Sequence, residues 1–285
     1  MTPARSPVAL VGLALTGFAA NSLLCRVALR APAAIDPVTF TSVRLFSGAV
    51  VLALLARVWK RAATPRGNWR SALALFAYAT AFSIAYVRIT AGIGALLLFA
   101  AVQLTMFAAG LRAGERLRLL QWLGFAMAVA GLVILSWRGV TAPDPLAAVL
   151  MASAGVAWGV YSLRGRGSTQ PLADTAGNFA RAVPMALVGT VIALRSVHVS
   201  VPGLLLAIAS GALASGIGYS IWYAALPRMT ATSASIVQLA VPVIAAAGGI
   251  AFLGEQPTFR LMLATVTILS GVALAVFARR RRVSG

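Results

Sequence analysis

Ten apolar stretches of roughly 20 residues follow one another along this chain, and they constrain its fold more than any other feature. A helix rises ~1.5 Å per residue, so each stretch can cross the ~30 Å hydrocarbon core of a bilayer. The connections between them are short, and none has the composition of a soluble domain. The stretches are approximately residues 7–27, 37–58, 71–88, 91–112, 118–137, 146–164, 173–194, 204–226, 229–252 and 258–278.

Composition and charge support a polytopic membrane protein. The chain is 60% hydrophobic and 10% charged, whereas a soluble domain is about a quarter charged. Its net charge of +19 would suit nucleic acid if the basic residues shared one face with interleaved aromatic residues. They stand instead at the ends of apolar stretches, so we expect a lipid bilayer around the chain and no nucleic acid. The sequence contains no metal-ligand cluster, nucleophile–base pair or phosphate-cradling loop, which predicts neither cofactor, metal nor enzyme activity.

The positions of the basic residues predict the orientation. If the N-terminus is cytoplasmic, most of the 24 basic residues lie on the cytoplasmic side. Such a bias is typical of the cytoplasmic face of membrane proteins and predicts that both termini lie there. The few residues that then face outward are Arg26, Arg30, Arg88, Arg138, Arg195 and Arg260.

The sequence also repeats itself at one constant offset. Gly114–Glu115 aligns with Gly254–Glu255, Gly131 with Gly271, and Phe18 with Trp158. Each half then holds five helices, and an odd number forces the second half to enter the membrane upside down. We therefore predict an all-α membrane protein with ten transmembrane helices in two inverted five-helix repeats, residues 1–140 and 141–285, around a central cavity.

The chain resembles the drug/metabolite transporter superfamily, and specifically its ten-helix EamA-type exporters. The residues that carry the resemblance are Arg44, Gly114–Glu115, Gly131, Trp158–Gly159, Tyr219, Trp222, Ala225–Leu226, Pro242, Leu253–Gly254–Glu255 and Gly271. Two positions depart from the pattern of the family. Phe18 stands where helix 1 often has tryptophan, and Val102 stands where the counterpart of Pro242 would be.

The resemblance implies export of a small-molecule substrate across the bacterial inner membrane by alternating access. The nearest members are exporters of aromatic and neutral amino acids, and we expect such a substrate. Two alternatives remain: export of organic anions or nucleotide-derived metabolites, and proton-coupled drug efflux. All five acidic residues lie at or beyond span ends, so no carboxylate is available at mid-depth as a proton carrier. This favours uncoupled, facilitated transport.

Two arginines lie within spans, Arg44 in the second and Arg181 in the seventh. Either side chain could snorkel or hydrogen-bond exposed carbonyl groups of a neighbouring helix. The functional alternative is capture of a substrate carboxylate, which a guanidinium can hold through two hydrogen bonds.

Uncharged polar and aromatic residues within the spans are the candidate substrate-binding residues. An unsatisfied amide in hydrocarbon is costly, so each must face another helix or the cavity. Gln238 is of special interest because Pro242, four residues later, should displace the carbonyl group of residue 238 from its helical partner. The aromatic residues line either an interfacial belt or the cavity. The candidates are Asn21, Tyr78, Gln103, Trp158, Tyr161, Tyr219 and Gln238.

Small residues and one proline are candidates for packing or gating. Gly155 and Gly159 are spaced for close helix approach, whereas Gly216 and Pro242 could let their helices bend. Static packing and bending during transport both remain open for these four residues. The sequence does not predict an oligomeric state.

Overall fold

The computed structural model of the chain describes residues 7–30, 34–58, 66–112, 114, 119–137, 142–165, 168–225, 238 and 240–280. The regular structure within these ranges is entirely helical, as the sequence predicts. The turn expected at 226–228, most of the first half of the ninth span, and Glu115 lie outside the described residues. The predictions that concern them remain predictions.

The helices follow the predicted spans closely. Pro171 starts the seventh helix two residues before the predicted boundary, and the eighth span begins three residues early, at Val201. The helices are α1 (Pro7–Ala28), α2 (Pro37–Val58), α3 (Trp69–Tyr86), α4 (Ala91–Arg112), α5 (Leu119–Ser136), α6 (Pro145–Gly165), α7 (Pro171–Ile192), a 3-10 turn (Leu194–Ser196), α8 (Val201–Ala209), the π segment (Ser210–Ile217), α9 (Gly218–Ala225), α10 (Ala240–Leu253) and α11 (Phe259–Arg280).

The eighth span differs from the others because it is not one regular helix. Its residues run through α8, the π segment and α9 without a break. The ten predicted spans are therefore α1 to α7, this composite span, α10 and α11.

Local sequence explains several helix starts. Pro37 and Pro145 open α2 and α6, where the missing N–H of proline is no loss. Asp36 accepts hydrogen bonds from the backbone N–H groups of Val38 and Thr39, and Asp144 accepts one from Ala147. These carboxylates cap the helices from outside the apolar spans.

Within the described residues, five helical segments are long and apolar enough to cross a membrane, and three further apolar helices are shorter. Large apolar side chains point outward along them, including Phe46 and Leu54 on α2 and Leu123 on α5. Such a surface suits lipid tails. By contrast, α4 lies at the centre, and residues 94–102 of it are all buried. The chain is thus a multi-pass membrane protein built around α4.

The second and seventh helices show that the two halves are inverted. The Ser42 hydroxyl donates to the Ala186 carbonyl group at 3.0 Å, whereas Gly48, further along α2, packs against Phe179. Residue numbers rise along α2 as they fall along α7, so the two helices are antiparallel. Because α2 and α7 occupy equivalent places in the two repeats, one repeat is upside down relative to the other.

The fifth and tenth spans meet through reciprocal contacts. A Cβ atom at Gly131 would crowd Ile268 and the carbonyl oxygen of Ala264, and one at Gly271 would crowd Ala128 and the carbonyl oxygen of Gly124. The constant offset of the sequence repeat carries the first contact onto the second. Two glycines with positive φ values also match at this offset, Gly114 (80°) and Gly254 (63°). The paired glycines thus mark equivalent places in the two repeats.

Candidate functional site

Aromatic rings from three helices meet in the interior. The ring of Trp158 on α6 lies 4.9 Å from that of Tyr78, 5.5 Å from that of Tyr161 and 5.2 Å from that of Tyr219, measured between centroids. The three tyrosines are buried and Trp158 is half-buried. The structure therefore brings together all four aromatic candidates from the sequence.

Tyr219 lies where the two halves meet. Its ring contacts Trp158 in the second half and Phe18 in the first, at 5.2 and 5.7 Å. Phe18 and Trp158 are equivalent positions in the sequence repeat. Tyr219 therefore lies at the interface between the repeats, and inverted-repeat transporters bind their substrates at such an interface, near the bilayer midplane.

A polar network adjoins the aromatic rings. The Tyr78 hydroxyl accepts hydrogen bonds from Nη2 of Arg44 at 3.1 Å and from the Asn21 amide at 3.5 Å. Asn21 in turn accepts a bond from the Ser210 hydroxyl at 2.7 Å, and Nε of Arg44 donates to the Ser215 hydroxyl at 3.2 Å. The network thus joins α1, α2, α3 and the π segment around one guanidinium group.

Arg44 is sealed within the protein, with 1% of its surface exposed. Its guanidinium carbon lies 5.2 Å from the centroid of the Tyr78 ring and 5.1 Å from that of Phe82, which is cation–π distance. Its Nη1 atom is buried and has no hydrogen-bond partner among the described residues. The positive charge therefore rests on neutral hydroxyls and aromatic faces.

The described carboxylates are all engaged elsewhere, at helix ends. Asp36 and Asp144 cap α2 and α6, Asp174 accepts hydrogen bonds from the Gly67 N–H and the Ser168 hydroxyl, and Glu255 lies beside Arg26. None of these four forms an ion pair with Arg44.

The π segment explains how two serines reach the same network. In a π-helix hydrogen bonds run from i to i+5, so residues five apart lie about one turn apart. Ser210 and Ser215 have this spacing, and both are buried. In an α-helix they would point about 140° apart. Gly211 permits the approach, because a Cβ atom there would overlap the Arg44 carbonyl oxygen and the Ser47 hydroxyl.

Arg181 has quite different surroundings. Its Nη1 atom donates to the carbonyl groups of Arg66, just before α3, and of Gly177, one turn earlier in α7. The side chain is half-buried. The structure thus places Arg181 at a helix–loop contact and separates it from the network around Arg44.

The remaining polar candidates are two glutamines. Gln103 is half-buried on α4, and Gln238 is helical and half-buried just before α10. Both make interactions with other residues. Pro242 is buried within α10. Residue 239 lies outside the described residues, so a free carbonyl group at 238 stays a prediction.

The three glycine candidates lie at tight helix contacts. A Cβ atom at Gly155 would overlap the Leu98 carbonyl oxygen on α4, and one at Gly159 would lie 2.9 Å from Thr105. At Gly216 it would lie 2.9 Å from Val51 on α2. These contacts account for the small residues by packing, and a role of Gly216 or Pro242 in gating stays a prediction.

Glu255 ties three helices together at one end of the molecule. Its carboxylate accepts hydrogen bonds from the Ala91 N–H at 2.8 and 3.0 Å and lies 3.7 Å from Nε of Arg26. Arg26 also donates to the Tyr86 carbonyl group at 2.8 Å. This cluster holds the end of α10 against α1, α3 and α4.

Sequence reasoning missed Ser210, Ser215 and Phe82. Serine is common in membrane helices as a packing residue, so neither serine stood out. The available signal was their spacing of five, which becomes meaningful only when the helix is π-wound. Among the described residues, no group of histidine, cysteine, aspartate or glutamate side chains could hold a metal ion.

Comparison with known proteins gives a family match and two informative relatives. The EamA-like transporter family matches residues 6–137 and 145–277, one match for each repeat. The chain is 50% identical over 281 residues to Uncharacterized protein PA1977 of Pseudomonas aeruginosa, covering 98% of both chains. It is 27% identical over 224 residues to a Probable terminal-alkyne amino-acid exporter of Streptantibioticus cattleyicolor, covering 75% of this chain and 74% of that one.

Among solved structures, one crystal structure of a protein resembles this fold with a TM-score of 0.68. The sequence identity is 21%, and the match covers 96% of this chain and 100% of the other. This likeness concerns the fold alone.

Proposed function

The chain belongs to the EamA-like transporter family, and we propose that it exports neutral amino acids with apolar or aromatic side chains. The observation that carries the proposal is the juxtaposition at Tyr78. Its ring contacts Trp158 within the aromatic group, and its hydroxyl belongs to the polar network. An amino acid has the same division between an apolar side chain and a polar head.

The amino acid would bind between the repeats, where Tyr219 contacts equivalent positions of both halves. Rocking of one repeat against the other would then expose this place to each side of the membrane in turn. The Glu255 cluster holds α10 against α1 and α4 at one end of the bundle, and opening of that end would have to break these contacts.

The relative from Streptantibioticus cattleyicolor supports the choice of substrate class, because its name describes an amino-acid exporter and the match spans three quarters of this chain. Amino acids with aromatic side chains are the expected preferred substrates, since rings stack favourably against the tryptophan and tyrosines of the site.

We further propose that transport is uncoupled. The described carboxylates lie at helix ends, where they cap helices or bind neighbouring basic and hydroxyl groups. None is placed at mid-depth, where a proton carrier would lie. Counterflow in proteoliposomes should therefore be the same with and without a pH gradient, and a strong dependence on the gradient would exclude this mechanism.

In the bacterial inner membrane, the basic residues favour an orientation with both termini in the cytoplasm. Reporter fusions at each terminus test this: activity of a periplasmic reporter at either end would contradict it.

The decisive test is counterflow of radiolabelled phenylalanine, tryptophan and leucine into liposomes that contain the purified protein. Trp158→Ala and Gln238→Ala should each lower flux at least about 10-fold while membrane insertion is unchanged, because each removes a side chain proposed to contact substrate. Trp137→Ala is the matched control, since this tryptophan is 67% exposed at the end of α5. Absence of amino-acid flux in the wild type, or normal flux in both site variants, would contradict the proposal.

Export of organic anions is the second candidate, and the isolated charge of Arg44 favours it. A phosphate-bearing metabolite would call for more than one free guanidinium, whereas Arg181 is bound to backbone carbonyl groups. Among anions, the site therefore suits monocarboxylates better than nucleotide-derived metabolites. A buried cation also disfavours the cationic compounds typical of proton-coupled drug efflux.

A further inference from the structure

We infer that Arg44 binds the carboxylate group of the transported substrate, with the hydroxyl of Tyr78 as a second donor. This inference rests on the proposed function for the rest of the substrate, and it assigns the atoms that recognise its acidic end.

Arg44 carries an isolated charge, which is costly to bury. Moving a guanidinium from water into an apolar interior is strongly unfavourable unless it is paired and hydrogen-bonded. Arg44 is 1% exposed, and none of the described carboxylates pairs with it. A protein that needed only a helix contact here could use a neutral residue. A permanent charge at this place is explained if an anion arrives during the transport cycle.

The site keeps hydrogen-bond donors that the described residues do not use. Nε and Nη2 of Arg44 donate to Ser215 and Tyr78, whereas the buried Nη1 atom has no partner among the described residues. The Tyr78 oxygen accepts two hydrogen bonds, which orients its own O–H away from Arg44 and Asn21. Two adjacent donors thus remain for one acceptor group. A carboxylate has two oxygens and suits such a pair.

Neighbouring side chains hold the donor groups of Arg44 and Tyr78 in position. The Ser215 hydroxyl fixes Nε, the Asn21 amide fixes the Tyr78 hydroxyl, and Ser210 fixes Asn21. The faces of Tyr78 and Phe82 hold the guanidinium plane from the side. This support lowers the ordering cost of binding an anion, as preorganised donors do.

Arg181 shows what a structural arginine looks like in the same protein. It occupies the helix equivalent to α2, yet it donates to two backbone carbonyl groups and is half-buried. None of its nitrogen atoms is both buried and without a partner among the described residues, so it provides a control of the same residue type.

Binding to purified protein in detergent, followed by ligand-induced shifts in thermal unfolding and by titration, tests the inference. The probes are phenylalanine, phenylalaninamide and 3-phenylpropionate, and the proteins are the wild type, Arg44→Gln and Arg181→Gln. The wild type should bind the two carboxylates at least about 10-fold more tightly than the amide, as expected for hydrogen bonds to a charged group. Arg44→Gln should abolish this preference, and Arg181→Gln should keep it.

The outcomes separate the inference from the proposed function. If Arg44→Gln binds both carboxylates as tightly as the wild type does, the carboxylate assignment is wrong, while phenylalanine binding still supports amino-acid export. If the wild type binds 3-phenylpropionate but not phenylalanine, the assignment holds and amino-acid export is wrong. Failure of all three probes to bind the wild type overturns both. If Arg44→Gln does not fold, the affinities of the wild type still test the assignment. Equal affinity for phenylalanine and phenylalaninamide would overturn it.

Discussion

Arg44 and Arg181 occupy equivalent helices of the two repeats, but their surroundings are very different. Arg44 lies among aromatic rings and hydroxyls with an unpaired Nη1 atom, whereas Arg181 donates to the carbonyl groups of Arg66 and Gly177. The position of an arginine in an apolar span does not show whether its role is structural or functional. The hydrogen-bond acceptors around the guanidinium group determine its role. A guanidinium group with a buried donor atom that lacks an acceptor is the one suited to bind a ligand.

The difference has a local cause in two glycines. Gly177 lets the Arg66 carbonyl group approach α7, since a Cβ atom there would overlap that carbonyl oxygen. Gly211 instead lets the π segment approach the backbone of α2 at Arg44. The close approach at Gly177 brings the Arg66 carbonyl group to Arg181, and the one at Gly211 brings the Ser215 hydroxyl to Arg44.

The largest expected effect is a loss of stability when a methyl group is added at either of these two glycines. Gly211→Ala and Gly177→Ala should each destabilise the protein by about 1–3 kcal/mol or more, because the added methyl group meets backbone atoms that cannot easily move. Gly189→Ala is the control, since its nearest neighbour, Val38, would be 3.7 Å away. Thermal unfolding measures the loss. Among variants that remain folded, only Gly211→Ala should weaken binding of carboxylates, and an equal weakening in Gly177→Ala would break the comparison.

Replacing each arginine by lysine should sharpen the contrast. Arg44→Lys keeps the charge but loses the planar fork and its stacking on Tyr78 and Phe82, so the half-saturating substrate concentration should rise about 10-fold. Arg181 donates through one nitrogen atom only, which an ammonium group can replace. Arg181→Lys should therefore transport within about twofold of the wild type in counterflow. Identical effects of the two substitutions would show that charge alone matters.

Removing one hydroxyl should have a smaller effect. Tyr78→Phe deletes the acceptor for Arg44 and Asn21, and a hydrogen bond of this kind contributes about 0.5–1.5 kcal/mol. We expect a roughly 2- to 10-fold rise in the half-saturating concentration. Tyr86→Phe is the matched control, because its hydroxyl donates to the Ala91 carbonyl group outside the network. If Tyr86→Phe raised the value as much, the role assigned to Tyr78 would be wrong.

The smallest effect is expected from pH. A hydrogen bond from the Ala147 N–H and the nearby Arg88 guanidinium hold the pKa of Asp144 below its ordinary value. A lowered pKa stabilises the folded state above the ordinary value, near pH 4, and this contribution is lost as the pH falls through the folded value. Asp144→Asn should thus lower the unfolding temperature by about 1–2 °C at pH 7, and this difference should shrink as the pH falls below the ordinary value. Because Asp144 contacts neither Arg44 nor Arg181, Asp144→Asn should leave the contrast between their lysine variants unchanged.

Most of the fold could be predicted from the sequence because hydrophobic length and repetition are local properties. The ten spans follow from runs of apolar residues, and the paired glycines, such as Gly131 and Gly271, predict the equivalence of the two halves. The aromatic candidates Tyr78, Trp158 and Tyr219 could also be predicted, since large polar-edged rings at membrane depth must face protein. In contrast, the sequence predicts the same two possible roles for Arg44 and Arg181 and gives no reason to distinguish them.

The sequence by itself determined that the chain is a multi-pass, all-helical membrane protein of two repeats, because a bilayer requires long apolar helices and an odd repeat requires inversion. Tertiary structure alone decided which arginine keeps a buried donor atom without an acceptor. The π winding between Ser210 and Ile217 turned two serines toward one guanidinium, and a glycine let a distant carbonyl group reach the other. Both outcomes depend on atoms that are far apart in the chain, and a hydrogen bond is decided by where its acceptor lies in space.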